Sequence, residues 1–170
     1  MDHPGSDLVL VEVRGLMHDP ATRTPIVVLR DDRGDRFLPI WIGLFEAQAI
    51  ALALDGVAAP RPMTHDLLAT LLTRLDGVLE RVLVSGLHEG TFLAQVEIAH
   101  GTETVLVDAR PSDAIALALR LGAPIFVRES VFADATKNEP SHDGKPADEG
   151  ERVRKVLESL SVDELGKYKM

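Results

Sequence analysis

The apolar residues of this chain follow two spacings, which together predict a mixture of strands and helices. In one segment they alternate with more polar residues, as in a strand that buries one face: Phe92, Ala94, Val96 and Ile98. The predicted order is three strands, two helices, three strands, a helix and a last strand. The predicted strands are Leu8–Val13, Ile26–Arg30, Arg36–Ile42, Val78–Leu87, Thr91–Ala99 and Thr104–Asp108. The predicted helices are Glu46–Leu54, His65–Leu75 and a third that follows Arg110.

Turn and cap residues separate these elements. Residues 31–34, Asp-Asp-Arg-Gly, predict a turn, and His88-Glu89-Gly90 predicts a hairpin in which Gly90 takes a positive φ. Gly56 is a natural stop for the first helix, and Thr64 is the expected cap of the second.

One hexapeptide occurs twice, and each copy follows three predicted strands. Ala49–Leu54 reads AIALAL, and so does Ala114–Leu119. Chance is one explanation, because helices rich in Ala and Leu are common. The agreement in strand count favours an internal duplication of a β-β-β-α unit. We therefore predict an α+β fold, with a mixed or antiparallel sheet, packed helices and this duplication.

Arginine–proline pairs precede the second and third helices, in Arg61-Pro62-Met63-Thr64-His65-Asp66 and Arg110-Pro111-Ser112-Asp113. One interpretation is structural: Thr64 and Ser112 cap the helices, and the aspartates complement the helix dipoles. That interpretation leaves the arginines unexplained, because a cation is disfavoured at the positive end of a helix. We expect each arginine to pair with a carboxylate or to bind an anion.

The chain divides into three parts by composition. Residues 1–133 predict one domain. Residues 134–150 are polar, contain Pro and Gly, and predict a flexible linker. Residues 151–170 predict a short amphipathic helix and a tail, with apolar residues at Val153, Val156, Leu157 and Leu160.

Charge and composition exclude several classes of protein. The net charge of −9 argues against a broad basic face that would coat nucleic acid. Every cation before residue 134 is an arginine, which reflects either codon usage or phosphate contacts made by guanidinium groups. The chain has no cysteine, no secretion signal at its start and no apolar run of membrane-spanning length. We therefore expect a cytoplasmic protein with no membrane contact.

Four segments resemble the bifunctional nuclease domain family, long catalogued as a domain of unknown function. They are Leu38-Pro39-Ile40-Trp41-Ile42-Gly43 with Glu46-Ala47, residues 61–67, Gly90-Thr91-Phe92, and residues 108–115. They occur in family order and span roughly residues 8–133. The resemblance implies an α+β domain, often paired as a homodimer, with the DNase and RNase activity of plant members.

The polar residues of these segments suit phosphodiester hydrolysis. Carboxylates can hold Mg²⁺ or Mn²⁺ through oxygen, a histidine can move a proton near neutral pH, and arginine can grip a phosphate with two N–H groups. The candidate catalytic residues are His65, Asp66, Asp108 and Asp113. The candidate metal ligands are Glu46, Asp108 and Asp113, and the candidate phosphate-binding residues are Arg61 and Arg110.

Two other functions remain open at this point. The Arg and Asp clusters could be internal ion pairs of a non-catalytic binding or regulatory dimer. The substrate could also be a small phosphorylated metabolite, which suits an acidic protein better than a long nucleic acid does. Trp41, the only tryptophan, is expected in the core, with base stacking as the alternative.

Overall fold

The computed structural model describes residues 7–34 and 36–137, and these residues form seven strands and four helices. The strands are β1 (Leu8–His18), β2 (Pro25–Asp31), β3 (Phe37–Trp41), β4 (Gly77–His88), β5 (Thr91–His100), β6 (Glu103–Ala109) and β7 (Ile125–Arg128). The helices are α1 (Leu44–Leu54), α2 (Thr64–Arg74), α3 (Pro111–Leu121) and α4 (Glu129–Lys137). The predicted α+β class is confirmed.

The seven strands form one mixed sheet in the order β3-β2-β1-β7-β4-β5-β6. β1, β2 and β3 make one antiparallel meander, and β4, β5 and β6 make another. β7 lies between the meanders, antiparallel to β1 and parallel to β4. Each meander is followed in the chain by a helix that carries the repeated hexapeptide. The duplication itself stays a prediction.

The core lies between the sheet and helices α1 and α3, which pack against each other. Ile50 of α1 and Ile115 of α3 are fully buried. The alanines of α3 at positions 114, 116 and 118 are at most 1% exposed. Their small side chains allow helix and sheet to approach closely, as dense packing requires.

One cavity is lined by parts of the sheet that are not neighbours. β3 and the hairpin that joins β4 to β5 both line it, although three strands separate β3 from β4. The first turns of α1 and α3 also line this cavity, through Glu46 and through Pro111 and Ser112. The cavity is therefore formed by strand ends and helix starts together.

The turns agree with the sequence, and β1 differs most from its predicted length. Gly34 and Gly90 have φ values of 80° and 78°, in the left-handed region that the two predicted turns require. β1 was predicted to end at Val13 but continues to His18, because an irregularity between Val13 and Gly15 shifts its register against β2 without ending the pairing.

The expected helix caps are wrong by one or two residues. Met63 rather than Thr64 is the N-cap of α2, and Arg110 rather than Ser112 is the N-cap of α3. Both hydroxyl residues lie inside the first turn instead. In α2 an acid at the third helical position replaces the hydroxyl cap, since Asp66 accepts a hydrogen bond of 2.9 Å from the backbone N–H of Met63.

Helix α4 is an element that the sequence analysis missed, because a strand followed by a tail was expected there. It extends through residues 134–137, which were predicted to begin the linker. Val131 and Phe132 anchor it in the core at 0% and 6% exposure, too few apolar residues to give a helical pattern. The rest of the predicted linker and the predicted C-terminal helix lie outside the described residues.

Within the described residues, none of the helices combines the length and the apolar character needed to cross a bilayer.

Candidate functional site

The N-termini of α1, α2 and α3 meet on one side of the molecule. Each of these helices carries an acid at its third position: Glu46, Asp66 and Asp113. An acid is favoured there because the first-turn N–H groups are free and the helix dipole is positive at that end. Ion pairs then connect the first turns of α1 and α2 to the first turn of α3.

Arg110, the N-cap residue of α3, connects two of these acids. Its Nε donates to Oδ2 of Asp113 at 2.7 Å, and its Nη1 lies 3.0 Å from Oε1 of Glu46. The hydrogen bond to Asp113 and the attraction of both carboxylates raise the pKa of Arg110. The side chain is nevertheless 66% exposed, so N–H donors remain for a ligand. The expectation that Arg110 pairs with a carboxylate is confirmed.

His65 of α2 forms a pair with the same aspartate. Its Nε2 lies 3.0 Å from Oδ1 of Asp113, and its side chain is 12% exposed. Burial raises the pKa of Asp113, but the hydrogen bonds from Arg110 and His65 outweigh burial and hold that pKa below its ordinary value. An ionised carboxylate can only accept, so Nε2 is the donor in this pair and Nδ1 is the ring nitrogen left to exchange a proton. The arrangement suits a base that needs a fixed orientation.

Asp66 is paired separately, with Arg120 in the last turn of α3. Arg120 donates from Nε to Oδ1 of Asp66 at 2.5 Å and from Nη1 to the carbonyl of Ala116 at 2.8 Å. The hydrogen bond from Arg120, followed by that from the Met63 N–H, lowers the pKa of Asp66. Arg120 is not among the site residues predicted from the sequence. The available signal was its position as the one charged residue between 114 and 121 of an apolar helix.

Two of the predicted site residues, Asp108 and Arg61, do not lie with Glu46, His65, Arg110 and Asp113. Asp108 is exposed near the end of β6, opposite Gln95, and strand alternation puts it on the sheet face away from the buried Val96. Arg61 is exposed in the loop between α1 and α2 and lines neither of the two cavities of the site.

Cavities open on both sides of Arg110 and Glu46, and both residues line each of them. The first cavity has a volume of about 410 Å³ and mainly apolar walls, and its lining includes Trp41 and Phe92. The second has a volume of about 350 Å³, and its lining includes the ionisable side chains of His65, Asp113 and Arg120. A ligand group at Arg110 therefore has an apolar space on one side and the histidine on the other.

The carboxylates in this arrangement do not fit a divalent cation. In the part of the chain that the structure describes, no group of three or more His, Asp or Glu side chains is placed to hold a metal. Glu46 and Asp113 converge on the guanidinium of Arg110, which takes the position between them, and the second oxygen of Asp113 faces His65. A cation would require Arg110 to move away first.

Comparison with known proteins adds a family and several relatives. A family model described as the bifunctional nuclease domain matches residues 27–140, more than half of the chain. Two uncharacterized proteins from two strains of Mycobacterium tuberculosis are each 42% identical over 160 residues, which cover 91% of this chain and 96% of theirs. Bifunctional nuclease 1 of Arabidopsis thaliana is 26% identical over 118 residues, 68% of this chain but 36% of the plant protein.

Proposed function

The chain belongs to the bifunctional nuclease domain family, and from this premise we propose that it hydrolyses phosphodiester bonds of DNA or RNA. The reaction takes place at a set of side chains that we call the Arg110 cluster: Glu46, His65, Arg110 and Asp113. One observation carries the proposal. An exposed guanidinium with free donors lies beside a histidine whose orientation is fixed by a carboxylate.

Arg110 binds the phosphate in this proposal. Two of its N–H groups are taken by Glu46 and Asp113, and the others are free to contact phosphoryl oxygens. Because both carboxylates fix the guanidinium before a ligand arrives, little reorganisation is needed when charge develops in the transition state. Glu46 is thus a positioning residue in this mechanism.

His65 moves the proton. Asp113 holds the Nε2 proton, so Nδ1 accepts a proton from water as the water oxygen attacks phosphorus. The bond to the leaving oxygen breaks, and this oxygen takes the proton from the imidazolium, directly or through water, which frees Nδ1 again. Asp113 orients the ring and stabilises the imidazolium that forms. Asp66, a predicted catalytic residue, serves here as the anchor of α2 on Arg120.

Dependence on Mg²⁺ or Mn²⁺ remains a prediction from the sequence, but its predicted ligands are not assembled in this structure, because Asp108 lies apart from Glu46 and Asp113. No step above uses a cation. The assay below therefore includes each metal and a chelator as separate conditions.

The test is a cleavage assay on single- and double-stranded DNA and RNA with Mg²⁺, Mn²⁺ or EDTA. We expect His65→Ala and Arg110→Ala each to lower the rate at least about 100-fold, a typical loss for a general base or an oxyanion donor. The matched control is His100→Ala, an exposed histidine at the far end of β5 from the hairpin. Equal rates for the wild type and for all three variants would point to a contaminating nuclease and refute the proposal.

A second candidate function is a non-catalytic binding or regulatory domain. The observation that favours it is that all three acids at the helix starts are paired with arginines inside the fold. If this function is correct, no substrate is cleaved, including nucleotides and other small phosphorylated compounds. The same substitutions then lower stability without changing any rate.

We also propose that the chain forms a homodimer through β6. The three central residues of this edge strand are 42%, 60% and 42% exposed: Val105, Leu106 and Val107. No other strand of the described residues pairs with the outer edge of β6. An antiparallel copy centred on Leu106 places Val105 opposite Val107 and Thr104 opposite Asp108, so no like charges face each other.

The cytoplasmic location stays a prediction.

A further inference from the structure

We infer that the 410 Å³ cavity beside Arg110 binds one unpaired nucleobase, so that the site acts on single strands and strand ends rather than on paired duplex. This inference rests on the proposed function in one respect, namely that the phosphate attached to this nucleotide contacts Arg110. The volume lies within the range of about 300–1,000 Å³ that is usual for small-ligand sites.

Phe92 provides a flat apolar surface for a base. It lies near the start of β5, lines the cavity and packs against the core cluster that includes α3. Trp41 at the end of β3 also borders the cavity, but its side chain packs against Ile26 and Val28, which alternation in β2 places on the other face of the sheet. Its indole N–H donates to Oδ2 of Asp19 at 3.0 Å, and this aspartate is 1% exposed. Trp41 is therefore a fixed reporter at the edge of the cavity, and Phe92 is the stacking surface.

The remaining walls supply polar groups for the edge of the base. Thr91 comes from the hairpin, and Ser112, which is 5% exposed, comes from the first turn of α3. A few polar groups in an otherwise apolar cavity are typical of sites that orient a planar heterocycle. Neither hydroxyl is required by the proposed hydrolytic step, and Ser112 is not the cap of its helix.

The position of Arg110 connects the two cavities into one path. A phosphate at its free donors is adjacent to a base in the first cavity and to His65 in the second. The proposed base subsite thus lies on one side of the scissile phosphate, and the proton-transfer residue lies on the other. This arrangement of base subsite, phosphate and histidine suits one nucleotide at the end of a nucleic-acid strand, or one within an extended single strand.

A paired base cannot enter such a cavity while it stays stacked, because it would have to unpair and leave the helix. Proteins that bind duplex compensate for such a cost with many backbone contacts to basic side chains. This chain has a net charge of −9, and Arg120 at the site is already engaged by Asp66. Unpaired nucleotides are therefore the favoured ligands.

The first experiment measures binding through Trp41, the only tryptophan of the chain. Adenosine 5′-monophosphate, ribose 5-phosphate and inorganic phosphate are titrated against the full chain, with excitation at the red edge of the tryptophan band. We expect the nucleotide to change the emission and to bind at least about fivefold more tightly than ribose 5-phosphate, because only the nucleotide can stack. Equal affinities for the three compounds would overturn the inference.

The second experiment uses neighbouring residues on opposite faces of β5. Phe92→Ala is expected to weaken nucleotide binding at least about fivefold, whereas its matched control Leu93→Ala, which removes an exposed side chain on the other face, leaves binding unchanged. Phe92→Leu keeps the core filled while removing the ring, and is expected to show the same loss if the alanine variant does not fold. Unchanged binding in Phe92→Leu would refute the base subsite.

The inference and the proposed function can fail separately. If the nucleotide binds with this pattern but no polymer is cleaved, the hydrolytic function is wrong and the base subsite stands. If cleavage depends on His65 but Phe92→Leu slows single- and double-stranded substrates equally, the base subsite is wrong and the hydrolytic function stands.

Discussion

Arg110 holds together two carboxylates that would otherwise repel each other. Glu46 and Asp113 lie on different helices, and the guanidinium is within 3.0 Å of both. With His65 on the other oxygen of Asp113, four ionisable side chains from three helix N-termini share one set of contacts. A change in the charge of any one of them therefore changes the interactions of the others. Measuring stability as a function of pH tests this coupling most directly.

Asp113→Asn is expected to lower the free energy of unfolding by about 1 kcal/mol at neutral pH. A hydrogen bond to a buried charged group contributes more than this, but solvent screens part of the interaction because Asp113 is partly exposed. The pKa of this carboxyl is below its ordinary value because the hydrogen bonds from Arg110 and His65 outweigh burial. Its ionised form therefore stabilises the folded state above about pH 4, and this contribution is lost as the pH falls through the lowered pKa. Urea unfolding at a series of pH values measures the difference.

The control for this prediction is Asp108→Asn, which changes an exposed aspartate outside the Arg110 cluster. We expect it to match the wild type at every pH. A stability difference between Asp113→Asn and the wild type that stays constant from neutral to strongly acidic pH would contradict the role assigned to the ionised carboxylate.

At the scale of elements, ion pairs of one arginine connect α4 to the turn between β2 and β3. Nε of Arg36 donates to Oδ2 of Asp31 at 3.0 Å, and Nη1 donates to Oε1 of Glu129 at 2.6 Å. The guanidinium also lies 4.4 Å from the ring centre of Phe132. Because Ala135 of α4 lines the first cavity, this contact also helps to hold one wall of the proposed base subsite.

Arg36→Ala is expected to lower the free energy of unfolding by about 1.5–3 kcal/mol, because a carboxylate that is 1% exposed loses a charged partner. The control is Arg33→Ala, an exposed arginine in the same turn, which should change stability by less than about 0.5 kcal/mol. Chemical denaturation with circular dichroism measures both values. Similar losses in the two variants would show that the contacts of Arg36 with Asp31 and Glu129 contribute little.

At the scale of the whole molecule, the sheet leaves β6 as a free edge in the described residues and contributes β3 and the β4–β5 hairpin to one cavity. The free edge of β6 offers a surface for a second copy of the chain, and the cavity offers the proposed base subsite. The proposed dimer and the proposed base subsite therefore use different parts of the same sheet, and each can be altered without the other.

Leu106→Lys is expected to convert the proposed dimer to a monomer, since two lysines would face each other at the twofold axis. Sedimentation velocity should give the mass of two chains for the wild type and of one chain for this variant. The control is Leu68→Lys, which changes a leucine of α2 that is 45% exposed. If only the Leu68 variant is monomeric, the interface lies on α2 and the β6 interface is wrong.

The sequence by itself determined the order of the elements, both turns and the family. Each depends on residues close together in the chain: period-two alternation in β5, glycine at positions 34 and 90, and short motifs such as residues 110–113. It failed where the local pattern was weak, as in α4, whose two buried residues Val131 and Phe132 give no periodicity.

Only the tertiary structure decided which charges meet. His65 and Asp113 are 48 residues apart in the chain, and Asp66 and Arg120 are 54 apart. The sequence grouped Asp108 with Asp113 because they are neighbours along the chain, but alternation in β6 turns Asp108 to the other face of the sheet. The cavity has the same origin, since its lining residues come from β3, the β4–β5 hairpin, α1 and α3, which are far apart in the chain. Local patterns specify elements, whereas long-range packing specifies the site.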